Sequence, residues 1–400
     1  MPILRSWRDS RQTWHVKALL FERQEARYAA AAVASRVLPG SGAGIGPLRL
    51  ADVDEPDLPS DEWVRVSPTL TGICGSDLAT IDGKSSGYFD SLVSFPFVPG
   101  HEVVGTTSDG DRVVLEPVLG PESRGEAAPF EGAAPGDGTD YGYLLAGDID
   151  DGIQVGFCAS TGGGWSEQFV AHPSQLHPVP DGLSDEDAVM LEPAAGGVHA
   201  AAKAQIDGGT VVVQGAGTMG LVSIAALRQY TNAETIIAVA KYPIQKKFAA
   251  ELGADVVVAP SEMSRAVRRI TGCRMIGDDL SGGADVTIDA IGNASSIEAS
   301  IGVTRPRGKV VLVGMPGKMN IDLTALWHRE TELIGAYTYG TDSWIDGTQV
   351  SSFERAMELT ATAKLGRLVS AKYPLSQYKQ AISHAAQAGP RGSVKVAFEI

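Results

Sequence analysis

Three short stretches of the chain carry side chains that bind metals or move protons. Gly72-Ile73-Cys74-Gly75-Ser76-Asp77 offers a thiol, a hydroxyl and a carboxylate. Pro99-Gly100-His101-Glu102 follows soon after with an imidazole and a second carboxylate, and Leu191-Glu192-Pro193 adds a third far downstream. Thiolate, imidazole and carboxylate together suit zinc, and a catalytic zinc keeps three protein ligands and one exchangeable position. Spacing alone does not join these residues. A lone cysteine is as readily a small core residue, and a histidine before a glutamate in a turn is as readily structural.

A fourth stretch is more specific. Thr210-Val211-Val212-Val213-Gln214-Gly215-Ala216-Gly217-Thr218-Met219-Gly220 reads as an apolar strand running into GxGxxG and then a helix. In that setting Gly215 permits the tight turn, Gly217 lets the backbone approach a pyrophosphate, and Gly220 lets helix and strand pack closely. Thr218 and Met219 complete the turn, whose N–H groups face the phosphates. The fingerprint is normally closed by an acidic residue about 20 positions on, which takes the ribose hydroxyls. Here the second strand ends in Ala240-Lys241-Tyr242 instead. A small residue and a cation favour a 2′-phosphate, hence NADP(H) over NAD(H). Lys246 and Lys247 read as a solvated helix face that can assist.

These residues need a scaffold. The chain has 400 residues, enough for two or three domains. It has 33 basic and 48 acidic residues, a net charge of −15, which argues against a protein that grips nucleic acid or anionic lipid. Its three cysteines, Cys74, Cys158 and Cys273, form no CxxC pair and no disulfide framework. With no apolar leader and no long apolar run, the expectation is a cytoplasmic protein. Residues 1–15 read as an extension. From Val16, short β-like runs and turns predict a β-rich domain. Residues 117–151, dense in Gly, Ala, Pro and acids, read as a long surface excursion. From Ser184, β-branched strands alternate with helices, which predicts a parallel sheet covered on both faces and an α/β fold. The tail from Gly340 carries two helix-like segments and a last apolar strand, and periodicity alone does not assign it to either domain.

The set GxCGSD, PGHE, a later EP and GxGxxG after an apolar strand resembles the medium-chain dehydrogenase/reductase superfamily, and within it the zinc-dependent polyol, threonine and glucose dehydrogenase branch. The resemblance runs from Val16 to the C-terminus. It includes Gly110-Asp111-Arg112 and the run from Arg307 to Gly314. It implies a GroES-like catalytic domain (16–183), a doubly wound Rossmann domain (184–339) and a tail (340–400) that returns to the catalytic domain. It implies that Cys74, His101 and Glu102 hold a catalytic zinc and that Glu192 is a fourth or exchanging ligand. Asp77 would orient the ligands, and Ser76 would pass the substrate proton. The expected activity is oxidation of a secondary alcohol or polyol by NAD(P), or the reverse. Homo-oligomers, dimers or tetramers, are the family's habit; the other expected partner is a small-molecule substrate, with no nucleic acid and no membrane.

The sequence departs from that branch in three places. Residues 120–150 contain none of the four cysteines that often bind a structural zinc. Ala79 stands where many relatives carry a relay histidine, so the proton must leave by water, ribose or Glu192. The stretch Glu192-Pro193-Ala194-Ala195-Gly196-Gly197-Val198-His199 is smaller than usual and is expected to widen the pocket or the crevice between domains. Two rivals stay open: a zinc-independent reductase of C=C or C=N bonds on the same fold, and a non-catalytic NADP(H)-binding sensor. Cys158 and Cys273 read as plain small residues, His199 as packing, and His328 and Arg329 as a surface turn. Tyr88, Phe89, Phe95 and Trp165 line either a substrate pocket or a satellite core.

Overall fold

The computed structural model describes residues 15–400. The expected extension 1–15 lies outside the described residues, except that His15 already opens the strand His15–Phe21.

Six parallel strands form one sheet. Across it lie Val256–Val258, Thr235–Val239, Thr210–Gln214, Ala284–Asp289, Thr304–Leu312 and Glu332–Gly335. In chain order this is 3-2-1-4-5-6, the doubly wound arrangement. Thr210–Gln214 is buried along its whole length, because helices cover both faces. The strand order reverses between Thr210–Gln214 and Ala284–Asp289, which pair in parallel, and ligands bind such sheets outside the carboxyl ends of the strands at that point. The GxGxxG turn lies there.

The second sheet is β-rich and mostly antiparallel. Val369–Pro374, Lys395–Glu399, Val64–Gly72, Val103–Thr107, Arg112–Leu115 and Leu176–Pro178 follow one another, and Phe169–Ala171 also pairs with Val64–Gly72. The last strand of the chain therefore lies inside the sheet built by the first half. Trp165 is fully buried, donates from its indole nitrogen to the Gly72 carbonyl at 3.1 Å and packs against Phe398. It belongs to the core and not to a pocket.

One feature was not expected. Between His15–Phe21 and Leu48–Asp54 the chain forms a helix, Glu25–Ala34, rich in alanine, the best helix former. The segment that follows this helix braces the end of the helix Gly75–Ile81: the buried Asp82 carboxylate accepts from the backbone of Gly40 at 2.9 Å and Gly42 at 3.2 Å. The continuous helix read over 184–204 is two helices, Asp185–Ala188 and Leu191–Ala204.

Candidate active site

Strand register builds the site. Val103 and Val104 pair with Thr71 and Leu70, and the Gly72 amide donates to the Glu102 carbonyl at 2.8 Å. On the other side Ala397 pairs with Gly72, and the Ile73 amide donates to the Val396 carbonyl at 3.0 Å. Three neighbouring strands thus deliver Cys74, the His101–Glu102 pair and Lys395 to one end of the sheet. Gly72 provides the room. A Cβ there would lie 1.8 Å from Glu102 Oε2 and 2.9 Å from Lys395 Cε.

The donor atoms of Cys74, His101 and Glu102 all lie within 4.8 Å of one another. No other group of three such residues converges this way among the described residues. Two buried polar atoms around them, Asp77 Oδ1 and His101 Nδ1, make no hydrogen bond and face each other at 3.5 Å. A soft thiolate, an imidazole and a carboxylate with polar capacity to spare fit a zinc ion.

Asp77 ties two of the donors together. One of its oxygens accepts from the Cys74 amide at 2.9 Å, and the other faces His101 Nδ1 at 3.5 Å. That leaves the far ring nitrogen free to ligate. Burial opposes a proton on His101, but Asp77 and Cys74 outweigh it and hold its pKa well above the usual histidine range. The cluster attracts positive charge. Lys395, 2% exposed, answers the same field: burial works against its charge, yet Glu102 and then Cys74 raise its pKa, and its ammonium contacts the Glu102 carboxylate directly.

Glu192 enters from the first turn of the helix Leu191–Ala204. Burial, with Glu102 adding to it, pushes its carboxyl up to about 7 against the pull of His101. The Tyr339 hydroxyl donates to Glu192 Oε1 at 3.1 Å, and burial holds the Tyr339 pKa well above the usual phenol range. Glu192 is not one of the three converging donors; it stands beside them. Ser76, half-buried, sits two residues after Cys74 on the helix Gly75–Ile81.

At the dinucleotide turn, Gly215 has φ +94° and Gly217 caps the helix Thr218–Tyr230. A Cβ on Gly220 would lie 1.7 Å from the Gly215 carbonyl oxygen, so only glycine fits there. Ala240 is fully buried at the end of its strand, whereas Lys241 is exposed with its ammonium 5.4 Å from the Tyr242 ring centroid. The small residues after Glu192 do not widen the crevice. A Cβ on Gly196 would meet Met219 at 2.8 Å and one on Gly197 would meet Val222 at 2.7 Å. The missing side chains let two helices pack closely.

Residues 218–361 match the family described as zinc-binding dehydrogenase, and residues 60–181 match the alcohol dehydrogenase GroES-like domain. Probable D-xylulose reductase A of Emericella nidulans is 31% identical over 328 residues, 75% of this chain and 82% of that protein. The chain belongs to the zinc-type medium-chain dehydrogenase family. As a medium-chain dehydrogenase it is an oxidoreductase of the alcohol dehydrogenase type. Sorbitol dehydrogenase of Bacillus subtilis is 26% identical over 357 residues, 85% of this chain and 91% of that one. Among solved structures, 2R,3R-butanediol dehydrogenase from Bacillus subtilis shares the fold, with a TM-score of 0.69 and 23% identity over 96% of this chain and 99% of that one.

Other residues of this medium-chain dehydrogenase are structural. His199 Nδ1 pairs with the buried Asp342 at 2.8 Å. Arg329 is buried and not in a surface turn; it donates to the carbonyls of Leu280, Gly282 and Thr304. Cys158 is buried and Cys273 half-buried. Phe157 lies 6.0 Å from the His101 ring and 5.3 Å from Phe97, centroid to centroid, and Phe95 is 5.3 Å from Phe97. Phe95 and Phe97 therefore pack in a core cluster and meet the cradle only through Phe157, while Tyr88 is mostly exposed. Sequence reasoning missed Lys395 and Tyr339. A lysine inside the apolar run Val394–Ile400 was the available signal for the first; none pointed to the second. Among the described residues, no helix is long and apolar enough to cross a membrane.

Proposed function

We propose that the chain interconverts a secondary alcohol, most readily a polyol, and its ketone by hydride exchange with NADP(H), using a catalytic zinc held by Cys74, His101 and Glu102. The convergence of those three donors carries the reading. Zinc supplies a Lewis acid for the substrate oxygen and the dinucleotide supplies the hydride acceptor. The work of the chain is placement and proton control. Asp77 fixes the His101 ring and the Cys74 backbone. Lys395 compensates the buried Glu102 carboxylate.

Glu192 stands next to the cradle with a carboxyl near 7, where it takes and returns a proton at neutral pH. It acts there or as an exchanging fourth ligand, and Ser76 passes the proton outward. Phe157 supplies an apolar wall. Gly215, Gly217, Thr218, Met219 and Gly220 receive the pyrophosphate, and Ala240 with Lys241 receives the 2′-phosphate, because no carboxylate stands there to repel it. The sorbitol and xylulose names of the relatives support a polyol. A catalytic domain of 16–183 and 340–400 around a cofactor domain of 184–339, a cytoplasmic location and a homo-oligomer complete the reading.

The test combines a zinc assay with a panel of polyols, short secondary alcohols and the matching ketones, run with both dinucleotides. Stoichiometric zinc is expected. Cys74→Ser should lose the metal and at least about a thousandfold in kcat, consistent with a Lewis acid worth several kcal/mol. Full turnover by metal-free wild type overturns the proposal.

A further inference from the structure

Residues 117–151 contain no cysteine, and the structure shows what orders them instead. Arg124, 3% exposed, donates to the carbonyls of Ala146 at 3.2 Å, Asp150 at 3.4 Å and Gly152 at 2.8 Å. It has no carboxylate partner among the described residues, and burial lowers its pKa. The lobe is folded around one buried guanidinium.

That lobe also reaches the turn that carries Tyr339. Asp137 Oδ1 accepts from the Thr341 amide at 2.8 Å, and Asp137 Oδ2 accepts from the Ala134 amide at 2.8 Å. Two glycines permit the approach. A Cβ on Gly136 would lie 2.2 Å from the Tyr339 carbonyl oxygen, and one on Gly340 would lie 2.4 Å from Asp137 Oδ1. Thr338, between the two tyrosines of this turn, has φ +51°. A β-branched residue rarely takes that conformation, so its surroundings must hold it. Tyr339 projects from the latched turn to Glu192. Tyr337 is more than half exposed, and its pKa is raised by desolvation, with Tyr143, Tyr141 and Glu192 adding to the rise. The rings of Tyr141 and Tyr143, which come from the lobe, are 6.4 Å apart.

We propose that Asp137 is a positioning residue: by latching the lobe onto the turn 339–341 it holds the Tyr339 hydroxyl on Glu192, and so tunes how that site receives a polyhydroxylated substrate. This rests on the alcohol dehydrogenase reading given above. The lobe contributes to specificity through its own hydrogen bonds and not through a bound ion. Asp137 touches neither substrate nor cofactor; it acts through the backbone of Thr341.

The test compares Asp137→Ala with Asp137→Asn, which keeps one acceptor oxygen where the aspartate uses two. Two readouts are taken on the full chain: kcat and KM across alcohols with increasing numbers of hydroxyls, and the rate of chymotrypsin cleavage within 117–151. In Asp137→Ala, kcat/KM for the longest polyol should fall about tenfold, the order expected when two part-buried hydrogen bonds to a charged group are lost and the Tyr339 turn loosens. KM for the dinucleotide should stay fixed, and cleavage should accelerate. Asp137→Asn, which keeps an acceptor for the Thr341 amide but sets an NH2 group against the Ala134 amide, should lie between wild type and Asp137→Ala in both readouts. The proposal is overturned if Asp137→Ala matches wild type in either. If wild type turns over no alcohol, the dehydrogenase reading fails, and the protease comparison alone decides the latch.

Discussion

The dinucleotide turn and the metal cradle are built in opposite ways. The turn is one continuous stretch, Thr210 to Gly220, in which the strand, the glycines and the helix start follow one another along the chain. The cradle is assembled across three strands, from Cys74, from His101 with Glu102, and from Lys395 near the last residue of the chain. Its charges are buried, whereas the cation near the turn, Lys241, is solvated. A local site depends on backbone shape. An assembled site depends on charge balance, and a single substitution there leaves an uncompensated partner in a dry interior.

The largest expected effect follows from that balance. Lys395→Met keeps the length of the side chain and removes the ammonium, so Glu102 is left buried without its partner. Removing one partner of a buried pair destabilises by about 3–5 kcal/mol. Urea unfolding of metal-free protein should register a loss of that order, and added zinc should recover part of it, because the cation takes over the compensation. A loss below about 1 kcal/mol, the range of an exposed pair, would remove the contrast between the two sites.

The matching change at the turn is Lys241→Asp. It should leave the melting temperature nearly unchanged, because Lys241 is exposed and its only aromatic neighbour is Tyr242. It should shift the ratio of kcat/KM for NADP over NAD about tenfold to a hundredfold toward NAD, the effect of exchanging a charge-assisted hydrogen bond for a repulsion. An unchanged ratio would show that the 2′-position is read elsewhere.

The same contrast governs how much could be read from the residues alone. The Rossmann alternation, the GxGxxG turn and the carboxylate missing after the second strand are local patterns, and the strand Thr210–Gln214 stands in the structure where that stretch places it. The cradle's ligands were visible as motifs, but their convergence was not, because register between distant strands leaves no periodic trace. Whether the tail joined one sheet or the other was undecidable for the same reason: Lys395–Glu399 is simply apolar and alternating until Val64–Gly72 is placed beside it. Lys395 itself interrupts that apolar run, and a charge in a core strand signals a buried partner. The helix Glu25–Ala34 went unread because a β-rich texture on either side outweighed its alanines. Asp137 offered no signal, since an aspartate in a glycine- and proline-rich loop looks like every other turn residue.

The smallest effect concerns a buried carboxylate outside the cradle. Glu116 is 1% exposed, its Oε2 lies 2.6 Å from His177 Nε2, and its Oε1 has no partner. Burial raises its pKa above 4.5, and His177 pulls back only part of the way. A carboxyl whose pKa is raised on folding adds stability that is complete below the unfolded value and is lost as the pH climbs through the folded one. Glu116→Gln removes that dependence while keeping the shape. The melting temperature of the variant should therefore gain on that of wild type as the pH rises above about 4.5. A constant difference across that range would mean that His177 compensates the charge fully. Glu116 would then be matched by His177 as Glu102 is matched by Lys395.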